Sequence, residues 1–179
     1  MVRPQDKKRW RVKSTTPDEG GEGGRSFAAE RDPNEVLHTD GGSITVGELH
    51  SRCTLLEPGI ICIRHPSFGS AETFTLLVER AVELARPSQR FAIVNDLTES
   101  KQRPRGAYQE AIIDMASSVG VHWANVWPSS AFTRVVARFI GARLMRPSGK
   151  AAGVTWSFHD SFDDARQAAR NALTKAGGP

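Results

Sequence analysis

Two short apolar runs with an amphipathic segment between them constrain the fold more than any other feature of the sequence. The first run, at residues 60–65, and the second, "RFAIVNDL", are typical of strands buried on both faces. The segment between them carries apolar side chains at spacings of three and four: Phe74, Leu77, Val78, Ala81, Val82 and Ala85. This spacing predicts a helix that begins after an N-cap at Ser70 and stops at Pro87. A strand, a helix and a strand in this order predict parallel strands joined by a right-handed crossover.

The same alternation continues to the end of the chain. Helical spacing recurs at 106–119 and after Ser129 or Ser130, and a last helix begins at Asp160 or Ser161. The segments "VHWANVWP" and "VTWSFH" lie between these helices and favour strands.

Earlier in the chain, the sequence predicts short strands near 35–39 and 51–56. A turn at Pro58-Gly59 pairs the second of them with residues 60–65 as a hairpin. We therefore expect an α/β domain at residues 34–176, with a mixed, mostly parallel sheet of about 4–6 strands and about four helices.

Residues 1–33 differ from the rest because they contain many Lys, Arg, Gly and Glu residues and few apolar ones, which predicts a disordered tail. Two interpretations of its basic head stay open: contact with nucleic acid, lipid or an acidic partner, or a solvated tail that aids solubility.

Bulk properties exclude several classes of protein. The net charge of +4 is too modest to indicate nucleic acid as a partner. We find no apolar run long enough to span a bilayer and no apolar centre of a secretory signal. We therefore expect a cytoplasmic protein.

The two cysteines, Cys53 and Cys62, flank the predicted turn. In a tight two-residue hairpin Cys53 would face Arg64 and Cys62 would face Leu55, so the thiols would be diagonal neighbours with poor disulfide geometry. No His or Cys cluster with the spacing of zinc ligands lies nearby. We expect two buried free thiols, no metal site and no cofactor.

Polar side chains follow the ends of two predicted parallel strands, where ligands gather in open α/β sheets. The set after the second strand predicts a partner-binding or regulatory site: Asp96, Thr98, Ser100, Lys101, Arg103 and Arg105. A phosphate on Thr98 or Ser100 would find the three cations close by in the sequence. The alternative is that Asp96 and Thr98 only satisfy amides of their own loop.

The set after the first strand consists of His65, Ser67 and Ser70, and it predicts a site for an anion or another ligand at the start of the helix. Catalysis would need His65, Asp96 and nearby hydroxyls to converge, and the sequence has no nucleophile elbow, Walker sequence or Gly-x-Gly-x-x-Gly motif. His122 and His159 stand alone in apolar strand surroundings, which is typical of structural histidines. We expect no enzymatic activity.

Three segments resemble one known family. They are "LLEPGIICIRHPSFGSAETFTLLVERAVELA", "FAIVNDLTES" and "SSAFTRVVARFIGARLM" with "GVTWSFHDSFDDARQAARNAL". Together they resemble the STAS-like fold of anti-sigma-factor antagonists and their divergent bacterial relatives, over residues 34–176. The sequence departs from the Asp-Ser-Ser-Gly turn of that family, because "DLTESKQRPRG" has no Gly after its Ser.

The resemblance implies a non-enzymatic interaction module in bacterial signalling or regulation. Such proteins bind a partner kinase or regulator through the edge around this strand end, and some are switched by phosphorylation there. The resemblance also implies an alternative function, the binding of a small ligand or lipid between sheet and helices. A pocket for such a ligand would be expected under the first helix. The sequence itself leaves a homodimer open.

Overall fold

The computed structural model describes residues 31–67, 69–88, 90–101, 119–126, 135 and 154–177. The predicted tail up to residue 30 and nearly all of the two predicted middle helices lie outside these ranges. In chain order, the elements of the described residues are β1 (Val36–Thr39), β2 (Gly42–Thr45), α1 (Val46–Arg52), β3 (Cys53–Glu57), β4 (Ile60–Arg64), α2 (Ala71–Ala85), β5 (Ala92–Asp96), β6 (His122–Val126), β7 (Thr155–His159) and α3 (Phe162–Lys175).

Five of the strands form one sheet in the order β3-β4-β5-β6-β7. The β3–β4 pair is antiparallel and the other three pairs are parallel. The prediction of an α/β fold with a mixed, mostly parallel sheet is therefore confirmed. The remaining strands, β1 and β2, form a separate two-stranded hairpin.

The sheet is covered on both faces. Helix α2 packs on one face, where Leu77 and Ala81 meet Ile61, Ile63 and Ile93. Helix α3 packs on the other face, and its buried side chains Ala165, Ala169 and Leu173 join Ile60, Ala92, Val94, Ala124 and Val126. Because consecutive strand residues point to opposite faces, strands covered on both sides are apolar at successive positions, which is the pattern that predicted them.

Helices α2 and α3 begin where their polar caps predict. The Ser70 hydroxyl accepts a hydrogen bond from the Thr73 amide at the start of α2, and the Ser161 hydroxyl accepts one from the Asp164 amide at the start of α3. The prediction for the inward face of α2 is wrong at Val82, which is 41% exposed, whereas Leu76 is buried.

The predicted strand at 51–56 is wrong at its start. Residues 46–52 form α1, with Thr45 as its N-cap, and β3 begins only at Cys53. The interpretation also missed β2, which pairs with β1 and leads directly into α1.

The predicted neighbourhood of the two thiols is also wrong. The register of the β3–β4 hairpin shifts between Leu55 and Glu57, so Cys53 pairs with Ile63 and Cys62 pairs with Thr54. A shift of one residue moves side chains to the other face of a sheet, and the two cysteines therefore point to opposite faces. Both are buried and free, as expected.

Candidate functional site

The turn after β5 contains most of the described residues of the predicted regulatory site. The Asp96 Oδ1 atom accepts a 3.0 Å hydrogen bond from the Thr98 amide and a 2.6 Å hydrogen bond from the Thr98 hydroxyl. The Nε atom of Arg64 lies 3.5 Å from Asp96 Oδ2. Asp96 is buried, and its carboxylate holds the turn from the inside through these hydrogen bonds. Thr98 is exposed at the tip of the turn.

Several further contacts hold this turn. The Leu97 amide donates to the Val126 carbonyl, the Ser100 amide donates to the Leu97 carbonyl, and the Lys101 amide donates to the Ser67 carbonyl. The Arg52 guanidinium of α1 lies 3.3 Å from the Glu99 carboxylate.

The backbone hydrogen bonds fix the turn against β6 and the loop after β4, and the Glu99 side chain is paired with α1. The side chains of Thr98, Glu99 and Lys101 are left exposed, and Ser100 is half-buried. Arg103 and Arg105 lie outside the described residues.

A buried chain of polar side chains crosses the carboxyl ends of the parallel strands. The Asn95 amide nitrogen donates to Asn125 Oδ1 at 2.8 Å, which leaves Asn95 Oδ1 to accept from His65 Nε2, also at 2.8 Å. Asn125 in turn donates to the carbonyls of Trp123 and Ser157. The network therefore links β4, β5, β6 and β7 at one end of the sheet.

His65 is neutral in this environment. Burial lowers the pKa of its imidazole to about 4, although the hydrogen bond with Asn95 and the nearby Asp96 charge act in the opposite direction. His65 is thus a fixed hydrogen-bond donor near neutral pH.

The predicted ligand residues lie around a very small space. His65, Ser70, Thr73 and Ser100 border a cavity of about 10 Å³, which is about the volume needed for one water molecule. Ser70 is occupied as the N-cap of α2, and Ser67 contributes its backbone carbonyl to Lys101. The structure thus brings His65, Ser70 and Ser100 together.

The carboxylate of Asp96 does not join this group. Asn95 and Asp96 are consecutive in β5, so their side chains point to opposite faces of the sheet. His65 hydrogen bonds with Asn95, whereas the Asp96 carboxylate contacts Thr98 and Arg64.

A second polar cluster lies on the α3 face of β6 and β7, and it shows that the expectation of an isolated His122 is wrong. His122 Nδ1 lies 2.7 Å from Thr155 Oγ1, and His122 Nε2 lies 2.8 Å from Ser157 Oγ. Ser157 Oγ also lies 2.7 Å from His159 Nε2.

The proton positions in this cluster follow from its geometry. The Thr155 hydroxyl donates to the Val121 carbonyl, so it accepts from His122 Nδ1–H. His122 Nε2 then accepts from the Ser157 hydroxyl, which itself accepts from His159 Nε2–H. Burial lowers the pKa of His122 to about 4, and the neighbouring His159 acts in the same direction.

The sequence interpretation missed Asn95, Asn125 and the His122 cluster. Their partners lie about 30 residues away in the chain and become visible only when strand pairing aligns His122 with Thr155 and Asn95 with Asn125. In the ranges that the structure describes, no three His, Cys, Asp or Glu side chains come together as ligands for a metal. None of the described helices is long and apolar enough to cross a membrane.

Comparison of the chain with protein-family models, with curated proteins and with solved structures gave no match.

Proposed function

We propose that the chain is a non-enzymatic protein-interaction module in bacterial signalling or regulation, which binds a partner protein through the surface around Asp96–Ser100. The observation that carries the proposal is the turn after β5, whose tip is exposed while its backbone is held from several sides. The proposal includes a STAS-like topology, in which the two sequence-predicted middle helices complete the layers, and a cytoplasmic location.

A turn that is already ordered loses little conformational freedom when a partner binds, so its contacts contribute more fully to affinity. The exposed tip carries Thr98, Glu99 and Lys101 within four residues, with the Glu99 carboxylate paired with Arg52. Charges of both signs at the rim of an interface favour specificity and fast association. The adjacent cavity of about 10 Å³ is too small for an organic ligand, which favours a macromolecular partner at this surface.

Phosphorylation would change the turn directly. The Thr98 hydroxyl donates to the buried Asp96 carboxylate, and a phosphate at this oxygen would replace that hydrogen bond with repulsion between two anions. The phosphorylated turn would have to open. The partner surface would therefore exist in the unmodified protein and be lost in the phosphorylated protein. Phosphorylation of the half-buried Ser100 would disturb the same surface.

The proposal is tested by affinity purification of the tagged protein from its own cells, followed by native mass spectrometry with and without phosphatase. The key variant is Lys101→Glu, which reverses an exposed charge at the turn. The matched control is Arg86→Glu, which reverses an exposed cation just after α2.

We expect the wild type and the Arg86→Glu variant to retain the same stoichiometric partner, and the Lys101→Glu variant to retain at least about tenfold less. A phosphorylated switch would also show a mass increase at Thr98 or Ser100 that phosphatase removes. Equal capture by all three proteins, or capture of no partner by the wild type, would contradict the proposal.

A further inference from the structure

A groove of about 800 Å³ lies between α3 and the strands β6 and β7, away from the turn after β5. The α3 wall is formed by Ala168, Asn171, Ala172 and Lys175, which recur at helical spacing beside the fully buried positions of that helix. The floor is formed by the cluster of His122, Thr155 and Ser157. This volume is within the range of sites that bind small molecules.

Two cations lie at one end of the groove. Lys175 is the last residue of α3, and the Arg90 guanidinium lies beside Gly177, just beyond that helix. None of the described residues that line the groove is acidic. The carboxyl end of α3 contributes a partial negative charge of about half a unit, which two full positive charges exceed. The two cations therefore outweigh the partial charge of the helix end.

The hydrogen-bond donors that face the groove are few and identifiable. The hydroxyl hydrogens of Thr155 and Ser157 and the Nδ1–H of His122 are already used within the chain. Asn171 Oδ1 accepts from the Gln167 side chain, so its amide hydrogens are left for the groove. Among the described residues that line the groove, the side-chain donors left for a ligand are those of Arg90, Lys175 and Asn171.

The other described lining residues are apolar, with Val121 on the strand side and Ala168, Ala172 and Ala176 on the α3 side. We infer that this groove is a binding site for a small organic anion, whose carboxylate or phosphate group lies between Arg90 and Lys175 and whose apolar body covers Val121, Ala168 and Ala172. The site is independent of the proposed partner surface. It lies under α3, whereas the sequence predicted a pocket under the helix that is now α2.

The inference is tested on the full-length protein by titration with benzyl phosphate, followed by ¹H–¹⁵N correlation spectra. Phenylacetate is the carboxylate probe, benzyl alcohol tests the need for the charge, and inorganic phosphate tests the need for the apolar body. The variants are Arg90→Gln and Lys175→Gln. Arg86→Gln removes an exposed cation outside the groove and is the matched control.

We expect saturable shifts of the amide signals of 121–122, 155–157 and 168–176 with at least one of the two organic anions. We expect Arg90→Gln and Lys175→Gln each to weaken binding about tenfold, because each removes a charge-assisted hydrogen bond, and Arg86→Gln to leave it unchanged. Benzyl alcohol and inorganic phosphate should each bind at least about tenfold more weakly than that anion.

Four results would overturn the inference: no saturation by either anion up to about 10 mM, shifts that map outside the groove, equal binding of a neutral or inorganic probe, or unchanged affinity in both groove variants. Failure here would leave the proposed partner surface untouched, since that surface is tested by a substitution at Lys101. Loss of partner capture would likewise say nothing about the groove.

Discussion

At the scale of single residues, the link between Asp96 and Thr98 determines how the candidate partner surface is held. The Thr98 hydroxyl donates its proton to a carboxylate that is 10% exposed, so its removal deprives a buried charge of one partner. We expect Thr98→Val to lower the free energy of unfolding by about 1–2 kcal/mol. Urea unfolding at pH 7 measures the change.

The control for this prediction is Thr98→Ser, which retains the hydroxyl and should stay within about 0.5 kcal/mol of the wild type. If the Thr98→Val and Thr98→Ser variants are equally stable, the hydroxyl contributes nothing and the turn is held by its backbone contacts alone.

The contacts of individual residues were predictable from the sequence only where they are local. Asp96 and Thr98 are two residues apart, and a bond of this kind was one of the two interpretations of the segment. The relation of Cys53 to Cys62 was predicted wrongly because one extra residue in β3 reverses the face of every side chain before it. The hydrogen bonds of His65 and His122 to their partners depend on the order and register of the strands. The spacing of residues in the sequence does not reveal that order or register.

At the scale of elements, an ionic clamp joins the edge strand β3 to α3. The Arg170 guanidinium donates to both carboxylate oxygens of Glu57, at 2.5 and 2.8 Å, and Arg166 contacts the same carboxylate. These hydrogen bonds, first with Arg170 and then with Arg166, lower the pKa of Glu57 to about 2.

This pKa gives the clamp a defined pH dependence. A carboxyl group whose pKa is lower in the folded protein stabilises the fold above its ordinary value of about 4.5, and this contribution is lost as the pH falls toward 2. We therefore expect Glu57→Gln to be less stable than the wild type at pH 7, with a difference that shrinks between pH 4.5 and pH 2. Thermal unfolding across this range measures it, and a difference that does not change with pH would rule out the ionised clamp.

The long elements were predictable from the sequence and the short ones were not. Helix α2 has 15 residues and α3 has 14, so the apolar spacing repeats several times in each. Strand β2 and helix α1 have only four and seven residues, which is too short for either periodicity to stand out. The local signals for α1 were the capping bond from the Glu48 amide to Thr45 and the ion pair between Glu48 and Arg52 four residues apart.

At the scale of the whole molecule, the two faces of the sheet each bury one neutral histidine. His65 lies on the α2 face and His122 on the α3 face, and burial lowers the pKa of both to about 4. In the unfolded chain a histidine takes up its proton near pH 6.5. Between pH 6.5 and pH 4 the unfolded state therefore binds more protons than the folded state, and stability falls as the pH falls.

The contribution of fully buried His65 to this loss is about 3 kcal/mol, because each tenfold change in proton affinity corresponds to about 1.4 kcal/mol. We expect the free energy of unfolding in urea to decrease steadily from pH 7 down to pH 4. His65→Asn and His122→Asn should each reduce the slope of this decrease, whatever they do to the stability at pH 7. The control is His38→Asn, at an exposed position in β1.

The slope of the unfolding free energy against pH, and not its absolute value, distinguishes the loss of a titrating group from a packing defect. A substitution that only leaves a cavity lowers the unfolding free energy by the same amount at every pH, whereas loss of a buried imidazole removes proton uptake by the unfolded chain. If His65→Asn shifts the whole curve downward without changing its slope, His65 takes up its proton at the same pH in the folded protein as in the unfolded chain. Below about pH 6.5 the hydrogen-bond network through Asn95 and Asn125 would then hold an imidazolium, and the carboxyl end of the sheet would carry a positive charge beside the partner surface.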